Sequence, residues 1–432
     1  MSKQDKKELR QQIACEWLEE NYLNYGSLRH DVVTDRLQIR IADSLEDGSA
    51  YSLEFRGKEN WRNLTDKDIN TMVCQCVAEK GVNISTNEMW TALKSDMVPA
   101  VHPLRAWLDG LRPYTADQPD WIDLVASQVK VKPSGEETKG DKARGEELWR
   151  ACFKKWFVAM VASWMKDEVV NHTVLVLVGQ QGIFKTTWLD NLIPPELRAY
   201  SSKLPLSGQI SKDDRLRLCE NGMLNIDELD AMCGREMNIV KSLLTSTDVN
   251  ERAAYGRLKE RRVRLASFCA STNKREFLTD ITGNRRWLPF EVESIQNPFY
   301  TLLPYERMYA QAWALAQDPL FSYWFDLDEI EVLEEHNQHF RDESNEEQLL
   351  PILFDVPAEG KGEFMTTAQI SERLVTYGNI KKPMTLSRLG MVLGAAGYQS
   401  TRPKIGGRLI RGWLVYQRDT DEIASLKRLL KE

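Results

Sequence analysis

Lys185 and Thr186 follow a turn that carries two glycines, in the run Gly179-Gln180-Gln181-Gly182-Ile183-Phe184-Lys185-Thr186-Thr187. A Lys-Thr pair at the start of a helix, behind a glycine-bearing turn, is suited to phosphate. Backbone N–H groups surround the oxygens, the ammonium lies against the β- and γ-phosphates, and the hydroxyl reaches Mg2+. Gly179, Gly182, Phe184, Lys185, Thr186 and Thr187 are therefore the expected nucleotide-binding residues. Phe184 stands where the usual pattern has Gly, so the backbone there is expected not to need positive φ, with the ring turned away from the nucleotide.

Asp227 and Glu228 close the apolar run Met223-Leu224-Asn225-Ile226. A nucleotide hydrolase needs acids at the neighbouring strand end, where Asp227 can hold the Mg2+ shell through water and Glu228 can polarise the attacking water. Asn273 follows a third strand, expected over Val263 to Ala270, and there its amide would face the ligand crevice and orient water near the γ-phosphate. Arg285 and Arg286 follow the tight turn Thr282-Gly283-Asn284. A guanidinium reaching a neighbouring subunit's γ-phosphate stabilises charge in phosphoryl transfer, and the sequence leaves open which of the two would do so. Asn250 to Arg264 reads as a β-hairpin turning at Gly256 and rich in cationic side chains. In a ring-forming ATPase Arg257 and Lys259 would meet the phosphates of a single strand in the central channel, and Tyr255 would pack against a base or sugar. His102, without a carboxylate or serine partner in a recognisable arrangement, reads as a structural histidine at a helix start.

These residues need a frame. Val174 to Val178 is an unbroken run of Val and Leu, the pattern of a strand buried on both faces, and a helix with Trp149, Phe153, Trp156 and Met160 leads into it. Lys130 to Arg144, with Pro133, Gly135, Gly140 and alternating charges, predicts an exposed connection. Ahead of it, a helix is predicted over Lys6 to Tyr25, and two short strands around Thr34-Asp35. Further helices are predicted from the Thr65 cap region through Val77 and over Ser85 to Leu93. This makes a small α+β module whose Trp61, Trp90 and Trp107 are expected to be core aromatics.

A chain of 432 residues has room for two to four domains. Its net charge of −7 excludes a protein coated in positive charge but not a local basic surface. No apolar run approaches the roughly 20 residues that cross a bilayer, and Met1 to Lys7 lacks the apolar segment of a signal peptide, so a cytoplasmic protein with no membrane partner is expected. The seven cysteines include no C-x-x-C pair, and Cys74 and Cys76 are expected to be buried thiols rather than metal ligands.

The stretches Gly179 to Trp188, Asn225 to Leu229, Ala254 to Arg257, Ser271 to Asn273 and Thr282 to Phe290 resemble, in order and spacing, the virulence-associated protein E family of phages and mobile elements. That family is similar to the superfamily 3 helicases of the AAA+ class. The resemblance is strong from about Trp149 to Val292. It implies Lys185 and Thr186 as Walker A, Asp227 and Glu228 as Walker B, Asn273 as sensor 1, and Arg285 or Arg286 as the arginine acting in trans. No primase module is evident, so priming is not expected.

After an acidic stretch, Asp326 to Gln348, predicted as one packing helix, come helices over Thr366 to Tyr377 and Thr385 to Ala396, a turn at Gly397, and two strands. That is the plan of a winged helix-turn-helix. Arg373 to Arg418 contains nine basic residues and no acid, with Arg388 on the second helix and Lys404 and Arg408 on the wing as candidate DNA contacts. The expected fold is α/β: an AAA+ P-loop core over 149–325, an N-terminal α+β module over 1–129 with a linker over 130–148, an acidic connector over 326–348, and a winged helix over 349–432. The expected function is an ATP- and Mg2+-dependent DNA helicase or translocase, acting on single-stranded and duplex DNA as a homo-oligomeric ring, a hexamer, in replication of a phage or mobile element. The alternative is a nucleotide-controlled DNA-binding regulator or defence ATPase without unwinding activity.

Overall fold

Polar caps and apolar spacing set the first elements. In this computed structural model, which describes residues 2–41, 60–133, 139–204, 211–226, 229, 234–251, 260–279, 284–358 and 362–429, α1 (Lys3–Leu18) runs into a π-helical turn at Glu19–Leu23. Then come β1 (Leu28–Asp31), β2 (Arg36–Ile41), β3 (Asn60–Asn63), α2 (Asp66–Lys80), α3 (Thr86–Leu93) and β4 (Ala100–Val101). Capping boxes start α2 and α3: the Thr65 and Ser85 hydroxyls accept from the N–H groups of Asp68 and Glu88, whose carboxylates reach back. The sheet order is β3-β2-β1-β4. Leu28, Leu37 and Ile39 pack with Trp17, Ile69, Met72 and Met89 of the helices. On α2 Cys76 is buried but Cys74 is exposed, against the expectation for that pair, because residues two apart on a helix point to different sides. Trp61 is likewise not a core residue: it lies half-buried with the Arg29 guanidinium over its ring at 4.2 Å.

Two compact units divide the chain, one of Met1–Asn273 with Phe290–Asp326 and the other of Lys274–Pro289 with Leu327–Glu432. The first continues with α4 (Pro103–Asp109), α5 (Trp121–Ala126), β5 (Val129–Val131), α6 (Lys139–Met165), β6 (Val174–Val178), α7 (Lys185–Asp190), β7 (Ser201–Lys203), α8 (Lys212–Glu220), β8 (Met223–Ile226) and α9 (Gly234–Thr245). It closes with β9 (Asp248–Glu251), β10 (Glu260–Val263), β11 (Ser267–Thr272), β12 (Trp287–Ile295) and α10 (Tyr305–Gln317). The predicted exposed connection is largely ordered structure, since Val129 and Val131 bury themselves as the edge strand β5 and α6 already begins at Lys139.

The main sheet has the order β5-β12-β6-β11-β8-β7. Strands β6, β11, β8 and β7 are mutually parallel, with Cys269 opposite both Leu175 and Asn225. The strand ending in Ile226 is therefore not the neighbour of β6, as the sequence suggested; β11 lies between them. Non-local pairing of this kind is not encoded in any local pattern. Every residue of β6, β8 and β11 is buried. From α6, Trp156 Nε1 donates to the Phe268 carbonyl at 3.0 Å and Trp164 Nε1 to that of Gly222 at 3.1 Å, holding the helix on the sheet.

In the second unit, the acidic stretch forms two helices rather than one, α11 (Leu327–Gln338) and α12 (Asn345–Leu353), because Ser344 and Glu347 make a new capping box. After β13 (Phe354–Asp355) and β14 (Glu363–Met365) come α13 (Thr367–Gly378), α14 (Leu386–Ala395), β15 (Gln399–Thr401), β16 (Lys404–Ile405), β17 (Arg408–Leu409), β18 (Gly412–Gln417) and α15 (Thr420–Leu429). Ile370, Leu374, Leu389, Leu393, Trp413 and Val415 form its core. The β16–β17 turn uses Gly406 and Gly407, both at positive φ (57° and 82°), as a tight hairpin requires.

His336 of α11 is buried, and its Nε2–H donates to the Pro289 carbonyl at 2.6 Å. Burial pushes its pKa down from 6.5 to about 4. A base whose pKa is lower folded than unfolded leaves the unfolded state holding more protons between those values. Stability is thus fully present above pH 6.5 and lost as pH falls toward 4, by on the order of 3 kcal/mol. Urea midpoints between pH 7 and 4.5 are expected to show this slope, and His336→Gln to flatten it; an equal slope in both proteins would contradict the assignment.

Candidate nucleotide site

The site is built where β6 and β11 end. The chain leaves Val178 into the glycine turn, and Gly179 N–H donates across to the Thr272 carbonyl at 3.1 Å. Gly179 has φ +153°, and a Cβ there would meet the Val292 carbonyl oxygen at 3.2 Å, so a side chain is excluded. Gly182 has φ +87° in open space, so its requirement is conformational rather than steric. The turn ends in α7, whose first internal bond runs from Trp188 N–H to the Phe184 carbonyl at 2.8 Å, which leaves the N–H groups of Lys185, Thr186 and Thr187 ahead of the helical ladder.

Lys185 is buried. Its Nζ donates to the carbonyls of Gly179 and Gln180, each at 2.7 Å, and to Asn273 Oδ1 at 3.1 Å. Thr186 Oγ1 lies 2.9 Å from Ser271 Oγ. Two of the sequence-predicted pairs, Lys185 with Asn273 and Thr186 with the Ser271-Thr272-Asn273 corner, thus converge at one point. Ser271 is the residue whose part the sequence did not assign; its place one residue-pair before Asn273 was the available signal. Behind α7, Asn225 of β8 donates to Asp190 Oδ1 at 2.7 Å, tying the far end of that short helix to the sheet. An ammonium, two hydroxyls, a carboxamide and free-standing turn N–H groups form a donor set that fits the oxygens of a polyphosphate.

Residues 141–347 match the profile of the virulence-associated protein E-like domain. The chain carries that domain. Among solved structures, the apo NrS-1 C-terminal region (305–718) is similar at 12% identity and a TM-score of 0.44, covering 91% of this chain and 97% of that one. An A-form apo structure of the same NrS-1 region gives 11% identity and a TM-score of 0.41 over 91% and 98% of the two chains. No curated protein matches the chain.

Within the virulence-associated protein E-like domain, Phe184 departs from the expectation for its backbone: it adopts φ +68°, the left-handed conformation in which the usual glycine would sit. The turn dictates the backbone, and the ring finds a partner in Phe299, edge to face with centroids 6.2 Å apart. A left-handed non-glycine residue is strained by about 1–2 kcal/mol. Phe184→Gly removes strain and ring together, whereas Phe184→Ala loses the ring and keeps the strain. The glycine variant is therefore expected to unfold at higher urea than the alanine variant, by about 1 kcal/mol; the reverse order would refute a left-handed Phe184.

Asp227 and Glu228, and the hairpin residues Tyr255, Arg257 and Lys259, lie outside the described residues. The hairpin's base is described: β9 and β10 pair antiparallel from Glu251–Glu260 to Asp248–Val263. Arg285 and Arg286 sit in a 3-10 turn (Asn284–Arg286) of the second unit, Arg285 exposed and Arg286 half-buried. Also in that unit, Lys404 and Arg408 are exposed on the β16–β17 hairpin, while the Arg388 guanidinium donates to the Thr279 carbonyl at 3.0 Å. His102 caps α4, its Nδ1 accepting from Arg105 N–H at 3.3 Å, and burial lowers its pKa to about 4. Both observations accord with a structural histidine. Among the described residues no group of three His, Cys, Asp or Glu could hold a metal, and no helix is long and apolar enough to cross a membrane.

Arg264 was read as part of the charged hairpin, but it is fully buried. It donates to the carbonyls of Leu243, Leu244 and Ser246 at the end of α9 (3.0, 2.8 and 3.3 Å), of Ala266 at 3.0 Å, and of Asn171 ahead of β6 at 2.7 Å. Burial lowers its pKa to about 9, so it remains charged at neutral pH.

Proposed function

We propose that the chain is an ATP-dependent DNA helicase or translocase of a phage or mobile element, working as a ring with ATP hydrolysed between subunits. The observation that carries this reading is the Lys185 ammonium 3.1 Å from Asn273 Oδ1 under a glycine turn, which joins the phosphate-binding end of β6 to the water-orienting end of β11. Mg2+, when bound, would supply charge compensation for the β- and γ-phosphates, with Thr186 and Asp227 as its expected protein contacts.

In this reading Lys185 exchanges its loop carbonyls for phosphate oxygens, and Asn273, freed from it, orients the attacking water that Glu228 polarises. Arg285 or Arg286 of an adjacent copy completes the charge stabilisation. The hairpin Tyr255, Arg257 and Lys259 follow one DNA strand, while Lys404, Arg408 and Arg388 engage duplex. A forked-duplex unwinding assay with ATP and Mg2+, alongside particle mass with a non-hydrolysable analogue, tests the proposal. Strand separation by a multimer is expected; nucleotide-dependent DNA binding without strand separation would favour a regulator or defence ATPase instead.

A further inference from the structure

The N-terminal sheet has two faces of opposite character. Register places Leu28, Leu37 and Ile39 together toward α1–α3, while Arg29, Asp31, Arg36, Gln38, Arg40, Trp61 and Asn63 alternate onto the other face. Arg36 and Arg40 are exposed, and Arg40 stands directly opposite Trp61 in the ladder. Arg29 stacks over Trp61 at 4.2 Å and is oriented by donating from Nε to Gln38 Oε1 at 2.8 Å.

Asp31 is the one acid among the described strand residues of this face. It is fully buried, accepting from Val33 N–H, Thr34 Oγ1, Gln38 Nε2 and Tyr200 OH. At the rim, Asp35 is taken up by His30 at 2.9 Å and Glu220 by Arg262 at 3.2 Å. Exposed arginines with an aromatic plane between them therefore stand out on a chain whose net charge is −7. The face also adjoins the hairpin, because Arg262 of β10 donates to the Val33 carbonyl between β1 and β2.

We propose that this face is a platform for single-stranded nucleic acid, with Arg36 and Arg40 on phosphates and the Trp61–Arg29 stack receiving a base. A flat sheet bearing one aromatic and several cations matches a strand whose bases are unstacked and whose backbone is anionic. A duplex would hide its base planes. The platform needs no nucleotide, so its test is separate from that of the ATPase reading.

The test uses the full chain without ATP, titrated against fluorescein-labelled oligodeoxythymidylate at several salt concentrations. Arg36→Ala/Arg40→Ala is expected to weaken binding at least about five-fold at low salt and to lower the salt slope by about one to one and a half. Trp61→Ala is expected to weaken it by about ten-fold, with Trp61→Phe retaining most of the affinity. A bromodeoxyuridine oligomer is expected to photocrosslink to the peptide containing Trp61. Unchanged affinity and slope in the double-arginine variant, or crosslinks confined to other peptides, would overturn the proposal. So would a double variant that loses retention on anionic phosphatidylserine vesicles while keeping its oligonucleotide binding.

Discussion

Lys185→Ala is expected to lower DNA-stimulated ATP hydrolysis by about two to three orders of magnitude, the usual result of deleting one preorganised donor from a site of developing charge. The fold should survive the change. The two carbonyls that lose their partner belong to Gly179 and Gln180, which are half-buried and exposed, so water can replace the ammonium and stability should shift by no more than about 1 kcal/mol. Phosphate release with ATP, Mg2+ and single-stranded DNA, read beside far-ultraviolet circular dichroism, checks both halves. A folded Lys185→Ala protein that hydrolyses ATP at the normal rate would refute the site. Lys185→Arg is no rescue, because a planar fork cannot place donors on three acceptors arranged about a single nitrogen.

Arg264→Met should have the largest effect on stability of any change away from the site, about 3–5 kcal/mol. The side chains are comparably long and both pack, but methionine withdraws every donor from five backbone carbonyls in a dry interior. Arg264→Lys keeps the charge with fewer donors and less reach, and should fall between. The urea midpoint followed by tryptophan fluorescence reads this directly, and an unchanged midpoint for the methionine variant would show that the carbonyls find other partners. The consequence extends beyond stability. Arg264 is the common contact of the end of α9, the strand leading into β11 and the segment ahead of β6, so loosening it should lower ATPase activity even where the protein stays folded.

What the sequence made legible was local chemistry. The Val174 to Val178 run, the glycine turn, the Thr65 and Ser85 caps, the hairpin base and the two helices before Gly397 were all readable because each depends on neighbours within a few residues. The Lys185–Asn273 pair was anticipated as two separate strand-end residues meeting one ligand. Unreadable were properties set by distant partners. The insertion of β11 between β6 and β8 depends on pairing across the whole core. The left-handed Phe184 depends on a turn that tolerates strain and on Phe299, far along the chain. Arg264 looked like one more hairpin cation, although the apolar Leu265-Ala266 that follows it hinted at burial. Trp61 looked like core because tryptophan usually is, and only register assigns it to the face shared with Arg40.

The place of β11 in the sheet also fixes an order of assembly during synthesis. A ribosome delivers β6 first, then β7 and β8, and β11 only afterwards, yet β11 is the strand that joins β6 to β8. A nascent chain that ends before Ser267 therefore carries two sheet edges facing each other across a missing strand, each with open hydrogen-bonding groups. Closing that gap is a long-range step of the kind that slows folding and exposes intermediates to aggregation. Asn273 arrives with the closing strand, so Lys185 meets its carboxamide partner only when the keystone is in place.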